Sequence, residues 1–481
     1  MRRGLIAAVA AFAVLAAGHY IADSVFKNRF PTTDLTPEEI NAANPLVNTA
    51  ATLARAQAGE TAPFRVLFYG QSITGSGWPA IAMAELQERY PDVAFQWENR
   101  AIGGFNARRL IRTVEADLID LSPDLIVFHV YGRHRVYEQI VKTMMRNSAA
   151  DIILQTDHII PSDGPSARCR IGLRLYPVRR EACTGWPFAS QVTWFDYMSY
   201  HFIPAMAERY GLAVQDVRSA WNARLEEEDR SPQDLLMDDI HPNEMGKQWM
   251  AEIFVAFFEN IDTAAPPTPR YKDIPLPKPD ADGTVTLTVE AFRVEAVSHA
   301  PLDVFSVTID DIPVAQLPGC VAHGRPTRAL PEFVWPAIMR VGGNAPLVPE
   351  IWTTELRNFS EDYSEFEFSV SGSVTGPDGL GMSSDDFRSN SGRVHLDASD
   401  WTVAQVADLV DTSLPDPLVV KWQTRFLCDD VTEVSVPDSA PIVFTTLVTG
   451  LEAGLKTLRL SLPEASAKRI DHLRLTPPRL P

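Results

Sequence analysis

The chain has 481 residues, 45% of them hydrophobic, and 43 Lys+Arg against 62 Asp+Glu give a formal charge of -19. That length exceeds what a single core of ordinary size serves, so two folded units with connecting segments are expected. The negative charge opposes a phosphate backbone, which excludes nucleic acid as the expected partner and favours neutral or cationic ones.

Residues 1–30 begin with Arg2 and Arg3 and run through an apolar stretch from Gly4 to Gly18 that ends in small residues. This is the layout of a secretory signal, with Ala16-Ala17-Gly18 as a cleavage site. Tyr20, Ile21, Val25 and Phe26 extend it toward an uncleaved membrane anchor, the alternative reading. The expectation is an exported protein, periplasmic or secreted, or held at the inner membrane by this segment. An oxidising compartment permits disulfides. Of the pairings open to four cysteines, the one consistent with the domain division below joins Cys169 to Cys183 and Cys320 to Cys428; buried free thiols are the alternative. No Cys-x-x-Cys or His-x-x-x-His spacing occurs, so a zinc site is not expected; no cofactor is expected for the chemistry described below.

Residues 31–63 read as a helical lead-in without visible chemistry. From 64 to 262 short apolar runs alternate with amphipathic stretches. RVLFY (65–69), VAFQW (93–97), DLIVFHVY (124–131), DIILQT (151–156) and LAVQDV (212–217) read as strands. Between them AIAMAELQERY, NARRLIRTVEADLIDL and VYEQIVKTMMRN carry apolar residues at helical spacing. Near-continuous apolar strands separated by helices imply a parallel sheet covered on both faces, with functional residues at the carboxyl ends of the strands. Residues 263–283 contain six prolines and no period, and read as a linker. From 284 to 481 the pattern changes to alternating runs such as TVTLTVEAF, VFSVTI, FEFSVSGSV and LKTLRLSL, which predict a β-sandwich or jelly-roll.

Four segments carry candidate chemistry. FYGQSITGSGWPA (68–80) follows the first strand: Gly70 suits a sharp turn, and Ser72 then projects from the strand end. Alone, this pattern does not decide between a nucleophile and a helix-capping serine, since Ser and Thr ahead of a helix are most often caps. Gly103 and Gly104, in ENRAIGGFNARR, permit either tight packing or a backbone anion site. The third strand ends in VYGRHRVYE, where His134 stands as a candidate oxyanion donor. In MDDIHPNEMGKQWMAEIF (237–254), Asp238 precedes His241 by three residues. A carboxylate on one imidazole nitrogen fixes the tautomer that lets the other take a proton from a serine.

Together these segments resemble the SGNH (GDSL-type) hydrolase superfamily over residues 64–260. The first block of that family, a Gly-Asp-Ser-type turn bearing the nucleophile, is matched by Gly70-Gln71-Ser72. Its glycine block is matched by Gly104, and its Asp-x-x-His-Pro block by Asp238, His241 and Pro242. Two departures stand out. Gln71 replaces the aspartate, and the third block, normally Gly-x-Asn-Asp, reads Gly132-Arg133-His134-Arg135, so that His134 takes the place of the oxyanion asparagine or marks a retuned or weakened site. The resemblance implies a flavodoxin-like α/β domain with a Ser72–His241–Asp238 triad. It also implies an oxyanion hole from the Ser72 and Gly104 N–H groups with His134.

The implied activity is hydrolysis of small acyl esters, O-acetyl on carbohydrate foremost, by an exported serine esterase with an acylated carbohydrate or other small ester as its partner. A polysaccharide O-acyltransferase using the same serine, and a non-catalytic glycan-binding or envelope protein, are the alternatives. Asp239 is a poorer match to the family spacing than Asp238. His158, after the fourth strand, reads as a structural hydrogen-bonder or a residue bordering the cleft. Arg133 and Arg135 read as surface charges or an anion grip. Trp335, Trp352, Trp401 and Trp422 read as core or as sugar-stacking platforms.

Overall fold

The computed structural model describes residues 45–477 except 61, 131–133, 161–197, 265–267, 301, 304–305, 429–430 and 434–441. The expected signal segment, Cys169, Cys183, Gly132 and Arg133 lie outside the described residues, as do the side chains of His134 and Arg135. The chain falls into two compact units. The larger holds Leu46–Ile153 and Lys247–Pro481; the smaller, among described residues, holds Pro45 and Leu154–Gly246.

Five strands form the first sheet: β1 (Ala62–Gly70), β2 (Val93–Asn99), β3 (Leu125–His129), β4 (Asp151–Gln155) and β5 (Ala213–Gln215), in the order β2-β1-β3-β4-β5. β1 is parallel to both neighbours, with Phe68 opposite Asn99 and Gly70 opposite His129. Phe64, Val66, Leu67, Phe68 and Tyr69 are at most 1% exposed, as a central parallel strand covered on both faces requires. The order reverses direction between β1 and β3, and in open α/β sheets such a switch point is where functional loops gather.

The helices between strands are α1 (Val47–Gln57), α2 (Ser72–Gly75), α3 (Trp78–Arg89), α4 (Ala107–Leu121), α5 (His134–Asn147), α6 (Ile203–Tyr210), α7 (Val217–Glu227) and α8 (Glu244–Glu259). Local chemistry sets their ends. Asn106 caps α4 by accepting the Arg108 N–H at 3.0 Å, and Asp216 caps α7 through the Ser219 N–H at 3.0 Å. The lead-in helix α1 is fastened to the start of β4: Asp151 Oδ2 accepts both the N–H and the hydroxyl of Thr49 at 2.7 Å.

The remaining sheets are antiparallel. Strands Ile312–Pro313, Ser306–Ile309, Lys456–Ser461 and Thr284–Val289 form one, in that order, and Val431–Glu433, Val443–Thr449, Arg293–Ser298, Ile470–Thr476 and Lys272–Ile274 form a second. They share a core that includes Val285, Ile309, Leu460, Val294, Leu447 and Leu473. In Thr284–Val289 apolar and polar residues alternate and Val285 and Val289 turn inward, whereas Arg293–Ser298 and Val443–Thr449 are buried throughout. Cys320 and Cys428 form a disulfide within that core, with Cα atoms 5.2 Å apart. A third antiparallel sheet holds Val321–His323, Leu418–Phe426, Glu350–Arg357, Glu367–Gly372 and Gly376–Met382.

One sequence reading changes here and one is resolved. The proline-rich stretch is not an unattached tether: Lys272–Ile274 pairs with Leu473–Leu475, and Tyr271 is buried. Its prolines flank an edge strand, where a missing N–H is tolerated. Of the two readings of the four tryptophans, the core one holds. Trp335, Trp352, Trp401 and Trp422 are 3%, 0%, 8% and 3% exposed, and the indole N–H of Trp352 donates to Thr424 Oγ1 at 3.0 Å.

A buried charge network joins the parallel sheet to the second antiparallel sheet. The Arg65 guanidinium, on β1, donates to Glu295 Oε1 and Oε2 at 2.7 and 3.0 Å, and the Arg65 N–H donates to Asp124 Oδ2 at 2.8 Å. Arg474 reaches Asp124 at 3.4 Å and Asp273 at 2.9 Å, its guanidinium 3.8 Å from the Tyr271 ring centroid. Burial alone would push the Glu295 carboxyl up; Arg65, Arg293 and Arg474 outweigh it and hold it at about 2. A depressed carboxylate adds stability that is complete above its unfolded value and is lost as pH falls through its folded one. Glu295→Gln is expected to lower unfolding stability by about 3–5 kcal/mol, as breaking a buried ion pair does. Urea unfolding at neutral pH reads this loss. The difference between wild type and variant shrinks as pH falls from about 4.5 toward about 2.

Candidate active site

β1 ends where only glycine fits. A Cβ on Gly70 would stand 2.3 Å from the His129 carbonyl oxygen and 2.5 Å from Thr74 Oγ1. The close approach draws the ends of β1 and β3 together, and the chain turns at once into α2, whose first residue is the half-buried Ser72. The loop after β2 is fastened to the same strand end: the Ile102 N–H donates to the Gly70 carbonyl at 3.0 Å, and the Arg100 N–H to that of Phe68 at 2.9 Å. Asn99 joins the two loops, its amide donating to the Thr74 carbonyl at 2.8 Å while its Oδ1 accepts the Ala101 N–H at 3.1 Å.

Residues 102–105 form a tight turn, closed by the Phe105 N–H on the Ile102 carbonyl at 3.1 Å. Gly104 has φ +78°, the left-handed value that the third position of a type II turn demands of glycine. A Cβ on Gly103 would lie 3.6 Å from Ser72 Cβ, so this turn packs directly against the serine. Ser72 and the glycine pair, far apart in sequence, are thus neighbours.

Asp238 and His241 belong to the smaller unit. Leu236 bridges Pro242, the Met237 N–H donates to the His241 carbonyl at 2.9 Å, and the Asn243 N–H donates to Leu235 at 2.9 Å, so the loop is pinched at its base. At its tip His241 Nδ1 donates to Asp238 Oδ2 at 2.7 Å, which leaves Nε2 as the proton-accepting nitrogen. The other oxygen, Oδ1, accepts the N–H groups of His241 and Ile240 at 2.6 and 2.8 Å. The His241 backbone N–H, its ring and the Ile240 N–H hold the Asp238 carboxyl at about 2, so it is ionised throughout the neutral range.

His158 is fully buried and braces this loop. Its Nε2 donates to the Ile240 carbonyl at 2.8 Å, its Nδ1 meets Asp157 Oδ1 at 2.8 Å, and its own carbonyl accepts from Arg218 at 2.9 Å. Its ring also packs on Trp221, with centroids 5.2 Å apart. It is a structural hydrogen-bonder with a specific client, the peptide before His241. His134 opens α5. Sequence reasoning missed Asn99 and the hydrogen bond from Trp335 to the Gly103 carbonyl. A polar amide closing a buried strand was the only sequence signal for Asn99. Among the described residues no group of three or more His, Cys, Asp or Glu is arranged to hold a metal ion.

No family model matches the chain, and no curated relative matches it. Solved structures do. A GDSL-like lipase from Parabacteroides merdae is 16% identical, with 42% of this chain and 97% of that one covered and a TM-score of 0.31. Axe2, an acetylxylan esterase from Geobacillus stearothermophilus, is 19% identical over 42% and 98%, TM-score 0.32. A two-domain esterase (CEX) active on acetylated mannans is 12% identical over 91% and 96%, TM-score 0.33. The chain is therefore similar to structures of GDSL-like and acetylxylan esterase type, while its own strand order and helices define its α/β fold.

Proposed function

We propose that the protein is an exported serine esterase that hydrolyses small acyl esters, O-acetyl groups on carbohydrate foremost. The observation that carries the reading is the Asp238–His241 pair, whose Nδ1 hydrogen bond leaves Nε2 as a base. The serine held at the end of β1 against a glycine turn supplies the nucleophile in this reading. The acetyl and carbohydrate parts come from the family resemblance of the motifs.

In this mechanism His241 Nε2 takes the Ser72 hydroxyl proton as Oγ attacks the ester carbonyl carbon. The carbonyl π electrons move to oxygen, and the N–H groups of Ser72 and Gly104, with His134, receive that negative charge. Collapse breaks the bond to the alcohol, which leaves with the proton from His241. Water then attacks the acyl-serine, giving its proton to His241, and the acid departs as Ser72 regains its hydrogen. Asp238 stays ionised and stabilises the imidazolium.

The first test is acetate release from p-nitrophenyl acetate and from acetylated xylan and mannan. Wild-type turnover abolished by Ser72→Ala supports the reading, and absence of turnover on every ester sinks it. Asp238→Asn is expected to reduce kcat by ~10³-fold or more, through loss of the tautomer it fixes. His134→Ala should lower kcat by ~10²-fold with KM little changed; an unchanged kcat removes His134 from the oxyanion site. Gly70→Ala should cost about 1–3 kcal/mol of stability, read by urea unfolding, because its new methyl meets backbone.

A further inference from the structure

We propose that Trp335, from the C-terminal β region, is a positioning residue for the oxyanion peptide. Its indole N–H donates to the Gly103 carbonyl and thereby fixes the direction of the Gly104 N–H. The inference rests on the serine-esterase reading above, in which that N–H is an oxyanion donor.

The argument begins with the peptide bond. The Gly103 carbonyl and the Gly104 N–H belong to one planar trans unit and point in opposite directions. Type I and type II turns differ chiefly by a flip of this central unit. Two consecutive glycines impose almost no steric preference between the two. An external partner must therefore choose the orientation.

Trp335 is that partner. It is 3% exposed, and its Nε1–H donates to the Gly103 oxygen at 2.5 Å. Its ring lies so close to the turn that a Cβ on Gly104 would sit 3.0 Å from Cζ2. The Phe105 ring packs edge-on at 5.1 Å, and the Arg109 guanidinium covers the indole at 4.3 Å, confining the ring from two sides. Arg325, from the same β region, donates to the Arg100 carbonyl at 3.1 Å while paired with the buried Asp117. The β region thus holds the loop after β2 at two carbonyls, those of Arg100 and Gly103. Flipping the peptide would strip the Trp335 N–H of its acceptor and forfeit that hydrogen bond at a buried donor. The result is a preorganised donor that needs no rearrangement as charge develops.

The test compares the full wild-type chain with Trp335→Phe and with a chain carrying benzothienylalanine at 335, which keeps the bicyclic ring but lacks the N–H. Both variants are expected to lower kcat for p-nitrophenyl acetate about 10-fold, with KM within about twofold of wild type. Inactivation by a phosphonate ester, which places a tetrahedral oxyanion on Ser72, should slow in parallel. The benzothienyl variant should keep the wild-type melting temperature, so its kinetics decide the matter if the phenylalanine variant folds poorly. A wild-type kcat in the benzothienyl variant overturns the role of Trp335 and leaves the esterase reading intact. A lower kcat accompanied by a matching fall in melting temperature and a matching rise in KM assigns Trp335 to packing and also overturns it. A wild-type chain that neither turns over the ester nor reacts with the phosphonate overturns the esterase reading itself.

Discussion

The interaction on which much of the larger unit depends is the buried cage of Arg65, Asp124, Glu295, Arg474 and Asp273. Arg65 stands near the start of β1, and its fork of donors is answered by a carboxylate from a different sheet. A charge this deeply buried is tolerable only when fully paired, so the parallel sheet cannot leave the antiparallel one without exposing an unpaired ion on each side. Phe444 lies over the Arg65 guanidinium at 4.2 Å and Tyr271 over that of Arg474, which seals the cage with aromatic faces. Arg112, paired with Asp397 and Asp400, and Arg325, paired with Asp117, fasten the β region to α4.

This attachment has a consequence at the other end of β1. With the β region held against the sheet, its segment around residues 325–335 reaches the turn at Gly103 and Gly104. A glycine pair is useful there because it lets the backbone approach Ser72 closely, and costly because it leaves the peptide free to flip. The indole of Trp335 removes that freedom. In this reading the C-terminal half is tied to the chemistry proposed for the serine.

The Asp238–His241 loop solves a similar problem by different means. An exposed loop would ordinarily let a histidine sample many orientations. Here the bridge at Leu236 and Pro242, the two N–H groups on Asp238 and the buried ring of His158 beneath the Ile240 carbonyl fix the backbone. The carboxylate is spent partly on holding its own loop and partly on the imidazole.

By itself the sequence determined what depends on local pattern. The apolar runs from Arg65 to Tyr69 and from Leu125 to Phe128 define buried strands, the amphipathic stretches define helices, and alternation beyond Thr284 defines antiparallel sheets, because burial periodicity is written along the chain. The spacing of Asp238 and His241 likewise carries its own hydrogen bond, since three residues span it. What only the tertiary structure decided are relations between residues far apart in sequence. No local signal says that Gly70 must be glycine because the His129 carbonyl lies 2.3 Å from where a Cβ would be. Nor does any say that Lys272–Ile274 is an edge strand, or that Trp335, one of several buried tryptophans, spends its N–H on the peptide beside Ser72. Those outcomes depend on which surfaces the buried charges bring together, and that is fixed only when the chain closes on itself.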